Sequence, residues 1–133
     1  MSDEPVTVLA VASPAVLEQL HRILSHSRWN LMEAATVAGS RVILRSRSSM
    51  VVVCDAVLPD GGWRELLRQT RRYSVPPPLI VAADHADESL WMEVLNRGAY
   101  NLIAKPLERR EVFQVLGHAW LYLRQSSEKS FTA

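Results

Sequence analysis

Two kinds of apolar pattern alternate along the chain. Val6 to Val11 is a short, nearly continuous apolar run, the pattern of a strand buried on both faces of a parallel sheet. Ser13-Pro14 then reads as an N-cap followed by proline at the first helical position. Val16, Leu17, Leu20, Ile23 and Leu24 recur at helical spacing behind it, with an end expected between Ser25 and Arg28. Trp29 to Ala34 is a second strand with weak alternation, and Thr36 to Arg45 a less regular helix interrupted by Gly39. The consecutive valines of Met50 to Cys54 mark a third strand. Val57 to Gly62 reads as loop from its turn residues, and Trp63 to Tyr73 as an amphipathic helix.

Pro76-Pro77-Pro78 stops that helix and leads into a fourth strand, Leu79 to Ala83. Asp84 to Arg97 is a helix whose acidic first turn, Asp87 and Glu88, suits the macrodipole, with Gly98 as its left-handed stop. Tyr100 to Ala104 is the last strand and Leu107 to Arg124 the longest helix. Five strands alternating with five helices through short loops predict an α/β fold: a doubly wound, five-stranded parallel sheet of flavodoxin-like order 2-1-3-4-5, with helices on both faces.

Composition narrows the class. A chain of 133 residues, 48% apolar and with a formal charge of +1, is one domain's worth of globular sequence, expected at residues 1–125 with a frayed polar tail at 126–133. No apolar run approaches the ~18 residues needed to span a bilayer. The acidic start Met1-Ser2-Asp3-Glu4-Pro5 lacks the apolar centre of a secretion signal, and the lone Cys54 has no bridging partner, so a cytoplasmic location is expected. Arg41 to Arg72 carries seven arginines against three acids, but without interleaved aromatics; this reads as a solvated face, not a nucleic-acid surface.

In such a sheet the reactive groups gather where the strands end. Asp55 ends the third strand and Lys105 follows the fifth; they are the ionisable groups placed at the ends of central strands, near enough to meet. Ser13 reads as a cap, Cys54 as an inert thiol pointing into the helical layer opposite Asp55. His21, His26, His85 and His118 lack cysteines or carboxylates at metal-ligand spacing.

These residues carry a resemblance. Cys54-Asp55-Ala56-Val57-Leu58-Pro59-Asp60-Gly61 resembles the phospho-acceptor segment of the CheY-like receiver domains of response regulators. Gly98 to Pro106, ending Ala104-Lys105-Pro106, resembles the last-strand motif of that family, and Pro78 to Glu88 its fourth strand and the loop after it. The resemblance spans Val6 to about Arg124. It implies that Asp55 holds the position that takes a phosphoryl group from a histidine kinase, that Lys105 pairs with the phosphate, and that the Lys105–Pro106 peptide is cis.

Three positions depart from the family pattern. The adjacent carboxylates that hold Mg²⁺ align onto Val11 and Ala12, the phosphate-sensing hydroxyl residue onto Ala83, and the aromatic switch residue onto Leu102, with Tyr100 two positions earlier and expected on the same strand face. Asp55 is then the one clear carboxylate for a cation, with Asp84 a remote second, and Mg²⁺ binds weakly to a single carboxylate. No metal site or other cofactor is expected. The implied function is a degenerate receiver of two-component phosphorelay signalling, acting through protein–protein interaction; the alternative is a functional receiver phosphorylated on Asp55. An enzymatic or flavin-binding role on the same fold finds no Gly-rich phosphate loop, only Ala12-Ser13-Pro14, and no Gly-x-Ser-x-Gly elbow.

Trp91 and Met92 on the fourth helix, with Trp120 to Leu123 on the fifth, supply more apolar surface than a single helix face hides. With the pairing habit that the resemblance implies, they predict a symmetric homodimer through the fourth helix, last strand and fifth helix, around Trp91, Trp120 and Tyr122. The residues after the fifth helix are too few for a DNA-binding or catalytic effector, whether the chain stands alone or is part of a longer protein.

Overall fold

The computed structural model describes residues 6–46 and 49–132; the N-terminal segment read above as lacking a secretion signal, Arg47 of the basic stretch and Ala133 lie outside the described residues. The elements run β1 (Val6–Val11), α1 (Pro14–Leu24), β2 (Trp29–Ala34), α2 (Val37–Ser46), β3 (Val51–Asp55), β4 (Val57–Leu58), β5 (Gly61–Gly62), α3 (Trp63–Thr70), β6 (Leu79–Ala83), α4 (Glu88–Asn96), β7 (Asn101–Ala104) and α5 (Arg109–Thr132). The five long strands form one parallel sheet in the order β2-β1-β3-β6-β7, the flavodoxin-like order expected for this doubly wound fold.

Each side of the sheet has its own core. Leu9, Val11, Val52, Cys54 and Val81 point to one face, where Leu44 of α2, Trp63 and Leu66 of α3 and Val94 of α4 cover them. Val8, Ala10, Val53, Ile80 and Ile103 point to the other, under Leu20 of α1 and Val112, Leu116 and Ala119 of α5. Burial on both faces is why β1, β3 and β6 read as unbroken apolar runs. Ser13 caps α1 as expected, its Oγ accepting from the Val16 N–H. α4 begins at Glu88, later than the Asp84 expected, so Asp87 is its N-cap, accepting from the Leu90 N–H, and not part of the first turn. Gly98 terminates α4 at φ 97°.

Two segments differ from expectation. Val57 to Gly62 is a small antiparallel hairpin, with Val57 opposite Gly62 and Leu58 opposite Gly61. Two-residue strands half made of glycine carry no strand pattern; the pairing exists because Gly62 approaches the chain closely, a Cβ there standing 2.8 Å from the Ala56 carbonyl oxygen. The last helix runs on to Thr132, past the Arg124 expected for it, so the polar residues read as a frayed tail continue the helix. Extending a formed helix adds one hydrogen bond for each residue fixed, without needing an apolar face.

Candidate functional site

Asp55 is the last residue of β3, and the period-2 alternation that turns Cys54 into the α2–α4 side turns the Asp55 carboxylate the other way. Asp55 is only 3% exposed. A buried carboxylate needs partners. Its Oδ1 holds the Lys105 ammonium in an ion pair, and its Oδ2 accepts the Ser13 backbone N–H at 3.2 Å. That N–H sits at the N-cap of α1, so the helix adds its positive end to the lysine's charge.

Lys105 arrives just after β7. Its own N–H donates to the Ala83 carbonyl at 2.9 Å, continuing the β6–β7 ladder by one bond, and the Lys105–Pro106 peptide is cis. On the other side of Asp55, the Ala56 N–H donates to the Ala82 carbonyl at 2.8 Å. The backbone thus fixes both charged residues at the same rim of the sheet. Asp84 reaches the edge of the pair: its Oδ2 stands 3.9 Å from the Lys105 Nζ, with its side chain 75% exposed.

Val11 and Ala12 are fully buried, Val11 among the core residues under α2 to α4 and Ala12 among those under α1 and α5. They put hydrocarbon where the resemblance calls for acids. Among the described residues no cluster of three His, Cys, Asp or Glu side chains could hold a metal ion. Mg²⁺ requires near-octahedral oxygen ligands, and the one buried carboxylate here is already spent on an ammonium; the residues present do not fit the ion. Ala83 closes β6 with a methyl group and no hydroxyl.

Leu102 packs with the core on the α2–α4 side. Tyr100 does not share its face, contrary to the sequence reading: it precedes β7, packs with the α1–α5 core, and sets its ring 5.4 Å from that of Tyr122 on α5. The strand begins one residue later than its apolar pattern suggests, so strand alternation does not govern Tyr100. Burial, and secondarily the neighbouring Tyr122, raises the Tyr100 phenol above its usual range. The Cys54 thiol lies 3.1 Å from the Asp55 carbonyl oxygen, and burial first, then the Asp55 charge, pushes its titration up out of the normal range.

Two polar arrangements near the site escaped sequence reading. The Asp60 carboxylate, at the tip of the β4–β5 hairpin, accepts the Val37 N–H at 2.8 Å and the Ala38 N–H at 3.0 Å, capping α2 from across the fold. Those backbone bonds, with Arg41 a smaller contributor, hold its carboxyl below the usual range. Glu93 on α4 takes both Arg64 Nε and Nη2 of α3 at 2.6 Å and Arg97 Nε at 2.8 Å, and its pKa falls to about 2. The Asp60 bonds and the Glu93–Arg64 pair join residues distant in sequence; the Asp in a Pro-Asp-Gly turn was the available hint for the first, and for the second the local signal was the i,i+4 spacing of Glu93 and Arg97, which says nothing of Arg64.

On α4, Trp91 is 49% exposed, with Met92 and Leu95 also open to solvent; on α5, Leu121 and Tyr122 are exposed while Leu123 is buried and Trp120 half-buried. A groove of about 350 Å³ runs beside Trp91, floored by Leu102 and Val115 and edged by Asp87, Glu88 and Glu111. Tyr122 lies elsewhere, in a separate cavity with Tyr100. Among the described residues no helix is long and apolar enough to cross a membrane.

Comparison with known proteins agrees with this fold. Residues 9–117 match the family described as the response regulator receiver domain. The chain is 29% identical over 112 residues to the "probable transcriptional regulatory protein TcrX" of Mycobacterium tuberculosis, covering 82% of this chain and 47% of that one. It is 27% identical over 92 residues to the KDP operon transcriptional regulatory protein KdpE of Escherichia coli, covering 69% and 40%. The chain thus spans less than half the length of these relatives. In fold it is similar to the signal receiver domain of an HD domain-containing protein from Pseudomonas fluorescens Pf-5, with a TM-score of 0.84 at 22% identity over 96% of this chain and 95% of that one. A CheY-like receiver domain protein from Methanospirillum hungatei JF-1 gives 0.78 at 21% identity, over 94% and 98%.

Proposed function

Since this chain belongs to the response regulator receiver domain family and so to two-component signalling, we propose that it is a degenerate receiver: a cytoplasmic signalling module, not an enzyme, that works by protein–protein contact with phosphorylation of Asp55 weak or absent. One observation carries the reading. Asp55 meets a single ammonium and one backbone N–H, with Val11 and Ala12 in place of further carboxylates. Moving a phosphoryl group onto a carboxylate brings anions together, and a divalent ion that neutralises the developing charge is worth several kcal/mol of barrier. Here that neutralisation falls to Lys105 alone, already engaged by the acceptor.

The downstream response loses its parts as well. A phosphate on Asp55 would find a methyl at Ala83 where a hydroxyl is needed to bind an oxygen, and Leu102 has no ring or hydroxyl to follow it. What remains is a preset pocket with Asp55 and Lys105 satisfied by each other. Signal then passes through which partner docks, a histidine kinase or another signalling protein. A second copy of this chain also binds, through α4, β7 and α5, where Trp91, Met92, Leu95 and Leu121 are open to solvent and Trp120 half-open.

The test is incubation of the intact chain with acetyl phosphate and Mg²⁺, followed by intact-mass measurement. No phosphoryl adduct is expected. A hydroxylamine-labile adduct that Asp55→Asn abolishes would overturn the reading in favour of a working receiver.

A further inference from the structure

A cavity of about 350 Å³ opens at the end of the sheet opposite Asp55, where β6 and β7 begin. Its wall includes Pro76-Pro77-Pro78, Gly98, Tyr100 and Tyr122, and Arg71 from the end of α3. Among the described residues Arg71 is the one charged residue lining it, and its guanidinium has no hydrogen-bonded or ion-paired acceptor there. We infer that this cavity is a binding site for a small aromatic carboxylate, its ring against Tyr100 and Tyr122 and its carboxylate on Arg71.

The chemistry of the wall selects this class. The volume lies toward the lower end of the ~300–1,000 Å³ typical of small-ligand pockets, with room for a small substituted ring. The proline run has no N–H groups and fixed φ angles, so it is a stiff apolar wall formed before any ligand arrives. The two tyrosine rings, 5.4 Å apart and inclined at 46°, offer an aromatic surface, and each carries a hydroxyl that can donate a hydrogen bond. An uncharged ring would leave the guanidinium unmatched, and a bare inorganic anion would leave the rings and prolines unused. A planar fork matching a carboxylate is what arginine supplies.

Gly98 leaves room for that fork. The backbone there is left-handed at φ 97°, and the Arg71 guanidinium lies so near that a Cβ would stand 1.8 Å from Nη2 and 3.0 Å from Cζ. The backbone angle is what calls for glycine, and the mobile end of the Arg71 side chain rests in the space its missing side chain leaves. The Tyr100 N–H beside it donates to the Leu79 carbonyl at 2.7 Å, anchoring this wall to the start of β6.

The test is titration of the ¹⁵N-labelled chain with sodium benzoate, and with benzamide as its uncharged counterpart, read by amide chemical shifts. Benzoate is expected to give saturable shifts concentrated at residues 71–75 and 98–100, with benzamide and the Arg71→Gln variant each binding about ten-fold or more weakly, as loss of a charge-assisted pair predicts. Equal shifts from benzamide, unchanged benzoate binding by Arg71→Gln, or no saturable shift at these residues would overturn the assignment. Arg71 is solvent-exposed, so its replacement leaves the fold intact, and the dispersion of the same spectra verifies this. Asp55→Asn should bind benzoate as the parent does, which keeps this result separate from the fate of the receiver reading.

Discussion

Lys105 and Asp55 reach each other across β6, the lysine from the end of β7 and the aspartate from the end of β3, and close an ion pair at the rim of the sheet. Their side chains are 17% and 4% exposed, so neither charge has water as an adequate substitute partner. Lys105→Met should strand a buried carboxylate with only the Ser13 N–H and destabilise the fold by about 3 kcal/mol, whereas Asp55→Asn combined with Lys105→Met should recover most of that loss. Urea unfolding of the single and double variants, arranged as a double-mutant cycle, measures the difference. Equal destabilisation by the single and the double variant would contradict the pairing.

Asp60 links the hairpin to α2, and its effect depends on its charge. Its carboxyl is held below the ordinary 3.8 by the Ala38 and Val37 N–H groups. A depressed pKa in the folded state means that the stabilisation is complete above the unfolded value and is lost as pH falls through the folded one. Asp60→Ala should therefore lower the urea midpoint at pH 7, and the gap from the parent should close in strong acid. Asp60→Asn, which keeps a carbonyl oxygen to accept one N–H, should fall between the two.

Glu93 on α4 gathers two arginines, Arg64 from α3 and Arg97 from the C-cap of its own helix. With its pKa moved from 4.5 to about 2, the contribution it makes to joining α3 and α4 is full above about pH 4.5 and disappears as the solution approaches pH 2. Glu93→Gln should remove that pH-dependent part of the stability curve. Because Arg64 and Arg97 are about half-exposed, high salt should shrink the difference between parent and variant. Thermal melts across this pH range at low and high salt measure both effects.

Trp91 tests the pairing of two copies. Placing a carboxylate on the exposed centre of α4, as Trp91→Glu, should shift the chain from dimer to monomer in size-exclusion chromatography with light scattering, with an unchanged far-ultraviolet spectrum. A parent chain that elutes as a monomer at concentrations where ordinary interfaces associate would dispose of the dimer.

The sheet was legible because burial on both faces leaves a continuous apolar record, as in Val51 to Cys54, and because the helix cap Ser13 and stop Gly98 are local signals. The strand ends then gave Asp55 and Lys105 their common rim. The hairpin left no such record, since Gly61 and Gly62 pair through close backbone approach and not through side chains. Asp60 on α2, Glu93 between helices and Arg71 over Gly98 are contacts between distant residues, and no periodicity encodes them. Tyr100 was misplaced for a related reason: one residue outside a strand, a side chain answers to its tertiary neighbour Tyr122 and not to alternation.

Cys54 is the chain's sole cysteine, fully buried in the middle strand of the sheet with its thiol resistant to ionisation. A thiol-reactive dye therefore has nothing to modify until β3 parts from its neighbours. Labelling becomes a clock for global opening, and the parent sequence needs no engineered probe to have its unfolding followed in a mass spectrometer.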